Sequence, residues 1–242
     1  MAVDTRVQEF LEQGYLPVPR FLDDDLLERI RAHSAAELER LQANPVDDPL
    51  VVYEKLGDGQ PRIVKRLSRV IERDEIYRRV ASHPTPLGLI KGILGPEVEV
   101  CLNRHDMMNV KQARYGEGFD WHADGDGWGH YDIVSLYVAI DPSTVENGCL
   151  EVIPGSHKLR NLAFRDKYYL DLNLPEHRAL AARGVKVPCE PGAGLLFDCR
   201  TLHASQPNRT DQHRRGLIFG YLTTTAKAAL TGARPIEGVR LY

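Results

Sequence analysis

Residues 133–140 read Ile133-Val134-Ser135-Leu136-Tyr137-Val138-Ala139-Ile140, a nearly continuous apolar run. Such a run is typical of a buried strand. The tripeptide Glu146-Asn147-Gly148 follows it, and Asn-Gly favours the tight turn of a β-hairpin. We therefore expect residues 149–153 to form the returning strand of a hairpin, which Pro154-Gly155 then ends.

The same β pattern continues on both sides of this segment. Upstream, apolar residues alternate between Val98 and Val110, which predicts one long strand or two strands in succession. Downstream, the turn Glu190-Pro191-Gly192-Ala193 separates two further strands. These two strands cover residues 185–188 and 194–198. Two more strands are predicted at residues 62–67 and 214–222.

The N-terminal part of the chain is predicted to be largely helical, over residues 5–43. Asp23 to Asp25 can cap the second helix of this region. Its apolar stripe consists of Leu26, Leu27, Ile30, Leu38 and Leu41, with the small Ser34 on the same face. Residues 44–61 are rich in Pro, Asp and Gly and are predicted to form a loop. Two short helices are predicted at residues 74–82 and 86–94.

Helices followed by about seven short strands indicate an α+β chain that is mainly β. A double-sheet jelly roll, the cupin-like fold, fits the number and spacing of these strands. The N-terminal helices are expected to pack outside this core. Because the sequence contains neither an internal repeat nor a domain linker, residues 1–242 are expected to form a single domain.

Composition places the chain among globular proteins, with 43% hydrophobic and 27% charged residues. The net charge of −3 gives no basic footprint for nucleic acid, and no apolar stretch is long enough for a membrane span. The first residues contain no secretory signal, and the four cysteines form no Cys-x-x-Cys pair. We therefore expect a cytoplasmic protein, a monomer or homodimer, whose partner is a small molecule.

Three residues predict a metal site. His122 and Asp124 are two positions apart, so on a strand both side chains point to one side while Ala123 points away. His203 lies far downstream, after a predicted strand, where it can turn into the mouth of a sandwich. Two histidines and one carboxylate form the facial triad of non-haem Fe(II) oxygenases. His-x-Asp alone is a weak signal, and His122 by itself fits a core histidine equally well.

An arginine supports the same interpretation. Arg214 begins the last predicted strand, eleven residues after His203, and can point into the same cavity. The small Gly216 shares its face and would leave room beside the guanidinium, whereas Arg215 lies on the other face and is expected at the surface. A buried, unpaired guanidinium is costly, so an inward Arg214 needs an anion. A dicarboxylate that chelates the metal at one end would supply this anion at the other.

Several motifs together resemble the phytanoyl-CoA dioxygenase family of Fe(II)- and 2-oxoglutarate-dependent oxygenases. They are Trp121-His122-Ala123-Asp124, the block from Glu146 to Lys158 that contains Asn-Gly and Pro-Gly-Ser-His, and His203-Ala204-Ser205 followed by Arg214. The opening segments Phe10–Tyr15 and Phe21-Leu22-Asp23-Asp24 also look like the start of the family, so the resemblance covers most of the chain. It implies a double-stranded β-helix, which is a jelly roll, and the use of O2 and 2-oxoglutarate as co-substrates.

The resemblance also implies roles for individual residues. The family's metal ligands fall on His122, Asp124 and His203. The residue that pairs with the distal carboxylate of 2-oxoglutarate falls on Arg214, and Ser205 would support that carboxylate. The positions that line the 2-oxoglutarate pocket fall on Tyr137, Met107, Asn109 and Lys111. Of these four, Lys111 also fits a solvated lysine.

Other polar residues are predicted either to lie near the site or to stabilise the fold. His157, in the Pro-Gly-Ser-His turn, is interpreted as structural, and His105 as a histidine with its hydrogen bonds satisfied. The polar and irregular segment 157–183 is typical of a lid or a binding loop. Four residues of the loop after Asp124 are candidate substrate contacts because of their location, although they fit solvent-exposed loop residues equally well: Asp126, Trp128, His130 and Asp132.

The presence of Asp124 bears on the type of reaction. In related halogenases Gly or Ala replaces this carboxylate, so Asp124 argues against halogenation and leaves hydroxylation, desaturation, epimerisation and ring closure open. We expect hydroxylation of an unactivated carbon of a small metabolite, with release of succinate and CO2. Two alternatives come from other classes: a cupin-like module that binds metal for sensing or storage, and an isomerase that uses the metal as a Lewis acid.

Overall fold

The structure is a computed structural model that describes residues 5–54, 62–124, 133–166, 168–229 and 236–241. Its helices are α1 Thr5–Gln13, α2 Asp24–Ala43, α3 Val70–Arg73, α4 Glu75–Ala81, α5 Pro84–Leu94, α6 Pro175–Ala181 and α7 Thr224–Ala229. Its strands are β1 Tyr15–Val18, β2 Val51–Tyr53, β3 Val64–Ser68, β4 Val98–Cys101, β5 Asp106–Lys111, β6 Phe119–His122, β7 Ile133–Ala139, β8 Leu150–Val152, β9 Phe164–Arg165, β10 Tyr169–Leu170, β11 Val185–Val187, β12 Gly194–Asp198, β13 His203–Ser205, β14 Arg214–Thr223 and β15 Gly238–Val239.

These strands form two antiparallel sheets. The larger sheet has the order β1-β12-β7-β14-β5-β3-β2, and β4 joins it by pairing with β14 and β15. The smaller sheet has the order β11-β8-β13-β6-β10-β9. An apolar cluster packs between them, with Tyr137 and Phe197 from the larger sheet and Val152 and Val187 from the smaller. Two facing antiparallel sheets make a jelly roll, so the predicted fold class is confirmed.

The N-terminal helices pack on the outer face of the larger sheet, as expected. The carboxylate of Asp23 accepts a hydrogen bond from the Leu26 N–H at 2.8 Å and so caps α2. Ser34 lies buried on the apolar stripe of α2, where its hydroxyl donates to the backbone oxygen of Ile30 at 2.7 Å. This stripe belongs to the same core as Leu136 and the other outward-facing side chains of β7 and β14. The burial of each such leucine or isoleucine side chain contributes about 1.5–3 kcal/mol to the stability of the fold.

The predicted hairpin after β7 is wrong, although its turn forms. The side-chain oxygen of Asn147 accepts a hydrogen bond from the Thr144 N–H at 2.8 Å, and Gly148 has a φ of 75°, which favours glycine. The next strand, β8, pairs with β11 and β13 instead of returning along β7. Both edges of β7 are already paired, with β12 and β14. The turn therefore carries the chain from the larger sheet to the smaller one.

Three other local predictions need correction. The predicted loop 44–61 contains β2, a three-residue strand that is too short to show a periodic pattern and is held by its pairing with β3. The irregular segment 157–183 contains β9, β10 and α6, and β10 extends the smaller sheet beside β6. Arg215 is buried and not at the surface, because its guanidinium forms a two-bond ion pair with Asp141, with both N···O distances 2.8 Å.

Candidate active site

A cavity of about 370 Å³ lies between the two sheets. Strands β5, β7 and β14 of the larger sheet and β6 and β13 of the smaller sheet supply much of its polar lining. The lining includes every position that the sequence predicts for metal or 2-oxoglutarate: Met107, Asn109, Lys111, His122, Asp124, Tyr137, His203, Ser205 and Arg214. The fold therefore brings distant parts of the chain together at one site.

His122, Asp124 and His203 meet at one point of this cavity. His122 ends β6 and lies directly opposite His203, the first residue of β13. Asp124 follows in a bend, and Ala123 belongs to a separate buried apolar cluster. Oδ2 of Asp124 is 3.7 Å from Nε2 of His203, and Oδ1 is 3.9 Å from Nε2 of His122. One ligand atom from each residue lies within 4.8 Å of the others, a spacing that fits ligands around a single ion.

The hydrogen bonds of both histidines leave Nε2 available as a metal ligand. Nδ1 of His122 lies 2.7 Å from the backbone oxygen of Asp120, and Nδ1 of His203 lies 2.9 Å from that of Thr201. Because a carbonyl oxygen only accepts, each ring is assigned its proton on Nδ1 and its lone pair on Nε2. Burial, and then the neighbouring His203, lowers the pKa of His122 to about 4, so this ring is neutral at neutral pH.

Asp124 supplies the negative charge of this group. Burial works to raise the pKa of its carboxyl, but His105, His203 and His122 together outweigh burial and hold that pKa below its usual value. Oδ2 is buried and has no hydrogen-bond partner among the described residues. An ionised carboxylate oxygen without a partner, beside two imidazole lone pairs, is costly unless a cation lies between them. The donor set therefore fits a metal ion, and its composition is the one that non-haem iron(II) uses.

Arg214, at the start of β14, lines the same cavity and is 5% exposed. Its Nη1 donates to the hydroxyl oxygen of Tyr137 at 2.8 Å and to Oγ of Ser143 at 3.1 Å. Its Nε is buried without a hydrogen-bond partner, and no acidic residue in the described part of the chain forms an ion pair with the guanidinium. The neutral partners hold the side chain in place but leave its charge uncompensated. The pocket around Arg214 therefore fits an anionic ligand.

Lys111 lies beside Arg214, because the two residues are cross-strand partners on β5 and β14. Nζ of Lys111 donates to Oγ of Ser205 at 2.9 Å and to the backbone oxygen of Gln206. The side chain is 4% exposed, so its interpretation as a solvated lysine is wrong. Burial, and then the neighbouring charge of Arg214, lowers the pKa of Lys111 to about 7. Two adjacent buried cationic groups strengthen the preference of this pocket for a carboxylate.

Two glycines make room for this anion pocket. A Cβ on Gly216 would lie 2.3 Å from Cε2 of Tyr137, so the space that was predicted beside the guanidinium is occupied by the tyrosine ring. A Cβ on Gly148 would lie 1.9 Å from the backbone oxygen of Gln206 and 2.9 Å from Nζ of Lys111. The Asn-Gly turn, which does not form a hairpin, thus lets Lys111 reach its position.

Some parts of the site carried no signal in the sequence. Ser143, which is buried and holds Arg214, lies in none of the recognised motifs. The backbone oxygens of Asp120 and Thr201, which orient the two histidines, depend on the path of the main chain and not on residue type. The two oxygens could have been found only by their spacing, since each lies two residues before the histidine that it orients.

The remaining candidates divide into two groups. His105 has the expected satisfied hydrogen bond, with Nδ1 2.9 Å from Oγ of Ser135, and it also lines the cavity, with Nε2 3.7 Å from Oδ2 of Asp124. His157 is structural, as expected, because its Nε2 lies 3.2 Å from the backbone oxygen of Leu11. Four candidate substrate contacts lie outside the described residues: Asp126, Trp128, His130 and Asp132.

Two histidines and one carboxylate are the donor set that defines the class of non-haem iron(II) oxygenases, and here they line a jelly-roll cavity that also contains a buried arginine. The profile of the phytanoyl-CoA dioxygenase (PhyH) family matches residues 10–216. The chain therefore belongs to the phytanoyl-CoA dioxygenase family, and the resemblance inferred from its motifs is confirmed.

Three known proteins show the extent of the similarity. Ectoine dioxygenase from Stutzerimonas stutzeri (strain A1501) is 28% identical over 237 residues, which cover 89% of this chain and 75% of that protein. L-proline trans-4-hydroxylase from Streptomyces griseoviridis is 28% identical over 259 residues, which cover 97% of this chain and 90% of that protein. The crystal structure of EctD from S. alaskensis with 2-oxoglutarate and 5-hydroxyectoine has a TM-score of 0.75 at 22% identity. The match covers 93% of this chain and 78% of that chain and confirms the fold. By its family, the chain is an Fe(II)- and 2-oxoglutarate-dependent oxygenase.

Proposed function

We propose that this oxygenase hydroxylates an unactivated carbon of a small metabolite, with His122, Asp124 and His203 as iron(II) ligands and Arg214 as the partner of the distal carboxylate of 2-oxoglutarate. One observation carries the proposal: two groups of opposite charge line the same cavity, and each has a buried polar atom that no described residue satisfies. Among the described residues, Oδ2 of Asp124 and Nε of Arg214 are buried without hydrogen-bond partners. A metal ion compensates the first charge and a carboxylate the second, so a dicarboxylate that chelates iron compensates both.

The chain's own residues bind and orient the co-substrate in this proposal. Arg214 and Lys111 attract the distal carboxylate, and the hydroxyl groups of Ser205 and Tyr137, which these two cations already contact, lie beside it. Met107 and Asn109 line the same wall on β5. When bound, iron(II) and 2-oxoglutarate supply the activation of O2, with release of succinate and CO2. The protein's contribution is to hold the substrate carbon in a fixed position near the metal.

Aromatic rings surround the proposed ligands and support a small, partly apolar substrate. The ring of Tyr169 is 5.6 Å from that of His122, and the ring of Phe197 is 4.8 Å from that of His203, measured between centroids. The cavity, at about 370 Å³, is in the size range of small-molecule sites. Ectoine and L-proline, for which relatives are named, are the first substrates to test.

We propose further that residues 1–242 act as one domain in the cytoplasm, as a monomer or homodimer. β1 and β15, from the two ends of the chain, both belong to the larger sheet, which supports one domain. The four cysteines are buried free thiols, which suits a reducing compartment. Among the described helices, none combines the length and the apolar character that crossing a membrane requires.

The experiment that tests the function is an anaerobic titration with Fe(II) and 2-oxoglutarate, followed by the weak visible metal-to-ligand charge-transfer band. Wild type should give the band, Arg214→Ala should weaken it strongly at the same 2-oxoglutarate concentration, and the exposed Arg209→Ala should behave as wild type. Substrate-stimulated succinate release then identifies the substrate. Product analysis distinguishes hydroxylation from desaturation, epimerisation and ring closure.

The same titration separates the alternative classes. One metal ion bound per chain without a charge-transfer band would reject the oxygenase site and favour the cupin-like binding module. Turnover of a substrate in the absence of O2 would favour the isomerase. The buried Arg214 favours the oxygenase, because neither alternative needs an anion pocket beside the metal.

A further inference from the structure

We propose that the substrate carries an anionic group, a carboxylate or a phosphate, and that Arg66 on the wall of the active-site cavity binds this group. The inference rests on the proposed function and adds the chemical class of the substrate to it. Its basis is a cation that lines the cavity and has no partner in the described part of the chain.

The register of the larger sheet places Arg66 on the inner face. On β3 it lies opposite Asn109 of β5, and Asn109 lies opposite Gly216 of β14. Residues directly opposite each other on neighbouring strands project to the same side of a sheet. Asn109 and Gly216 line the cavity, and Arg66 lines it with them. The guanidinium of Arg66 therefore faces the space that the substrate would occupy.

The side chain of Arg66 forms no hydrogen bond or ion pair with any described residue. Its Nε is buried without a partner, and burial lowers the pKa of the guanidinium. A cation that has lost water without gaining an anion is unfavourable in the free protein. A carboxylate or a phosphate would compensate for the lost solvation through two parallel N–H···O bonds, the geometry for which a guanidinium is suited.

The neighbouring cations of this wall are engaged elsewhere. Lys65, next to Arg66 on β3, forms ion pairs with Glu117 at 2.6 Å and Glu54 at 3.4 Å, so its charge is compensated. Arg104 also lines the cavity but has contacts of its own. The cations of the 2-oxoglutarate pocket already have a ligand in the proposed function. Arg66 is thus available to an anionic group of the substrate.

Aromatic side chains of the cavity indicate what the rest of the substrate is like. Phe119 and Tyr168 line the cavity and are 37% and 39% exposed, and Tyr169 lies beside them. Exposed aromatic surface at a cavity favours a ligand with an apolar part. The substrate that fits is therefore a small molecule with an apolar body and an anionic group, which Arg66 anchors so that one carbon is held near the metal.

The test uses phenylacetate and phenyl phosphate as anionic probes and phenylacetamide as the neutral probe. Isothermal titration calorimetry measures their binding to protein loaded anaerobically with Fe(II) and saturating 2-oxoglutarate, which keeps the probes out of the Arg214 pocket. We expect wild type to bind the better anion about tenfold or more tightly than the amide. Arg66→Gln should remove this difference, and Arg66→Lys, which keeps the charge without the two-bond geometry, should restore part of it. Arg62→Gln, at an exposed arginine of the same segment that does not line the cavity, should leave anion affinity within about twofold.

The relative affinity of the two anions distinguishes a carboxylate substrate from a phosphate substrate. The proposal is overturned if the amide binds as tightly as the anions, if neither anion binds, or if both Arg66 variants bind the anions as wild type does. The charge-transfer band, recorded on the same samples, reports on the proposed function separately. Anion binding that depends on Arg66 in a protein without this band would reject the iron and 2-oxoglutarate roles and retain the anion site.

Discussion

His122 and His203 face each other across the β6–β13 pair, and each ring bonds through Nδ1 to the backbone oxygen two residues before it. The same hydrogen bond thus orients two histidines from strands that are far apart in the sequence. Asp124 completes the group from the bend after β6. Because the backbone fixes both rings, the fold itself organises the candidate metal site, as a precise site requires.

Replacement of Asp124 by Asn separates metal binding from folding. The neighbouring imidazoles hold the pKa of this buried carboxyl below its usual value, so its charge is not unfavourable in the metal-free fold. Asparagine keeps the size and shape of the side chain, so we expect metal-free Asp124→Asn to be within about 1 kcal/mol of wild type in stability, with iron(II) affinity at least about tenfold lower. Thermal unfolding with and without Fe(II) measures both effects. A metal-free variant that is less stable than wild type by more than about 3 kcal/mol would show that Asp124 has a structural role instead.

Gly216→Ala should damage the anion pocket without touching either proposed ligand. The new Cβ would lie 2.3 Å from the ring of Tyr137 and so push it away from Arg214, to which it is hydrogen-bonded. We expect the KM for 2-oxoglutarate to rise about tenfold or more, since one hydrogen bond to a charged group is lost. The control is Gly88→Ala, where a Cβ meets nothing within 4 Å and an exposed helix gains about 1 kcal/mol. An unchanged KM in Gly216→Ala would contradict the role of Tyr137.

Local patterns were sufficient for some predictions and not for others. The cap at Asp23 and the two-residue spacing of His122 and Asp124 are properties of one segment, and the structure has both. The hairpin at Asn147-Gly148 failed because the dipeptide determines a turn, whereas the partner of β8 depends on which strand edges are already filled. The position of Arg66 on the wall of the cavity depends on sheet register, which the segment 62–67 alone does not show.

Arg215, on the other face of β14, also shows that a local sequence pattern does not reveal tertiary contacts. Alternation along the strand correctly placed it opposite to Arg214, but it does not show what covers that face. α2 covers it, and Nη1 of Arg215 donates to the backbone oxygen of Arg31 at 2.9 Å and to Oγ of Ser34 at 3.0 Å. A residue expected at the surface is therefore part of the contact between helix and sheet.

Arg215→Gln should strongly destabilise the fold. It leaves the largely buried carboxylate of Asp141 charged, with only a long contact of 4.0 Å to Nε of Arg31, which lowers the free energy of unfolding by about 3–5 kcal/mol. Urea denaturation measures this change, and the exposed Arg209→Gln should shift stability by less than about 0.5 kcal/mol. A loss of less than 1 kcal/mol, as for an exposed ion pair, would contradict the buried position of Arg215.

The effect of Arg215→Gln should also depend on pH. Burial works to raise the pKa of Asp141, but the hydrogen bonds and charge of Arg215 outweigh burial and lower it. A carboxyl with a lowered folded pKa contributes stability above its unfolded value of about 3.9 and loses that contribution as pH falls through the folded pKa. The stability difference between wild type and Arg215→Gln should therefore shrink below about pH 4. A difference that stays constant down to pH 2.5 would contradict the ionic part of this account.

Lys111 should make 2-oxoglutarate binding depend on pH near neutrality. Its pKa is lowered to about 7 by burial and by Arg214, so above pH 7 the pocket holds one positive charge instead of two. A bound carboxylate favours the charged lysine, so binding above pH 7 takes up a proton and the affinity falls, by at most about tenfold per pH unit. The charge-transfer titration between pH 6.5 and 8.5 measures the slope. Lys111→Met should bind more weakly at pH 6.5 and lose the slope.

The same lysine gives an independent signal in the stability of the protein without ligand. A lysine whose folded pKa lies near 7 and whose unfolded pKa is about 10.4 binds more protons in the unfolded chain between these values. Its contribution to the free energy of unfolding is therefore unfavourable below pH 7 and improves as pH rises toward 10. Relative to Lys111→Met, wild type should gain stability from pH 7 to 9, measured by urea denaturation. A parallel pH dependence of the two proteins would show that Lys111 is solvated and would remove it from the 2-oxoglutarate pocket.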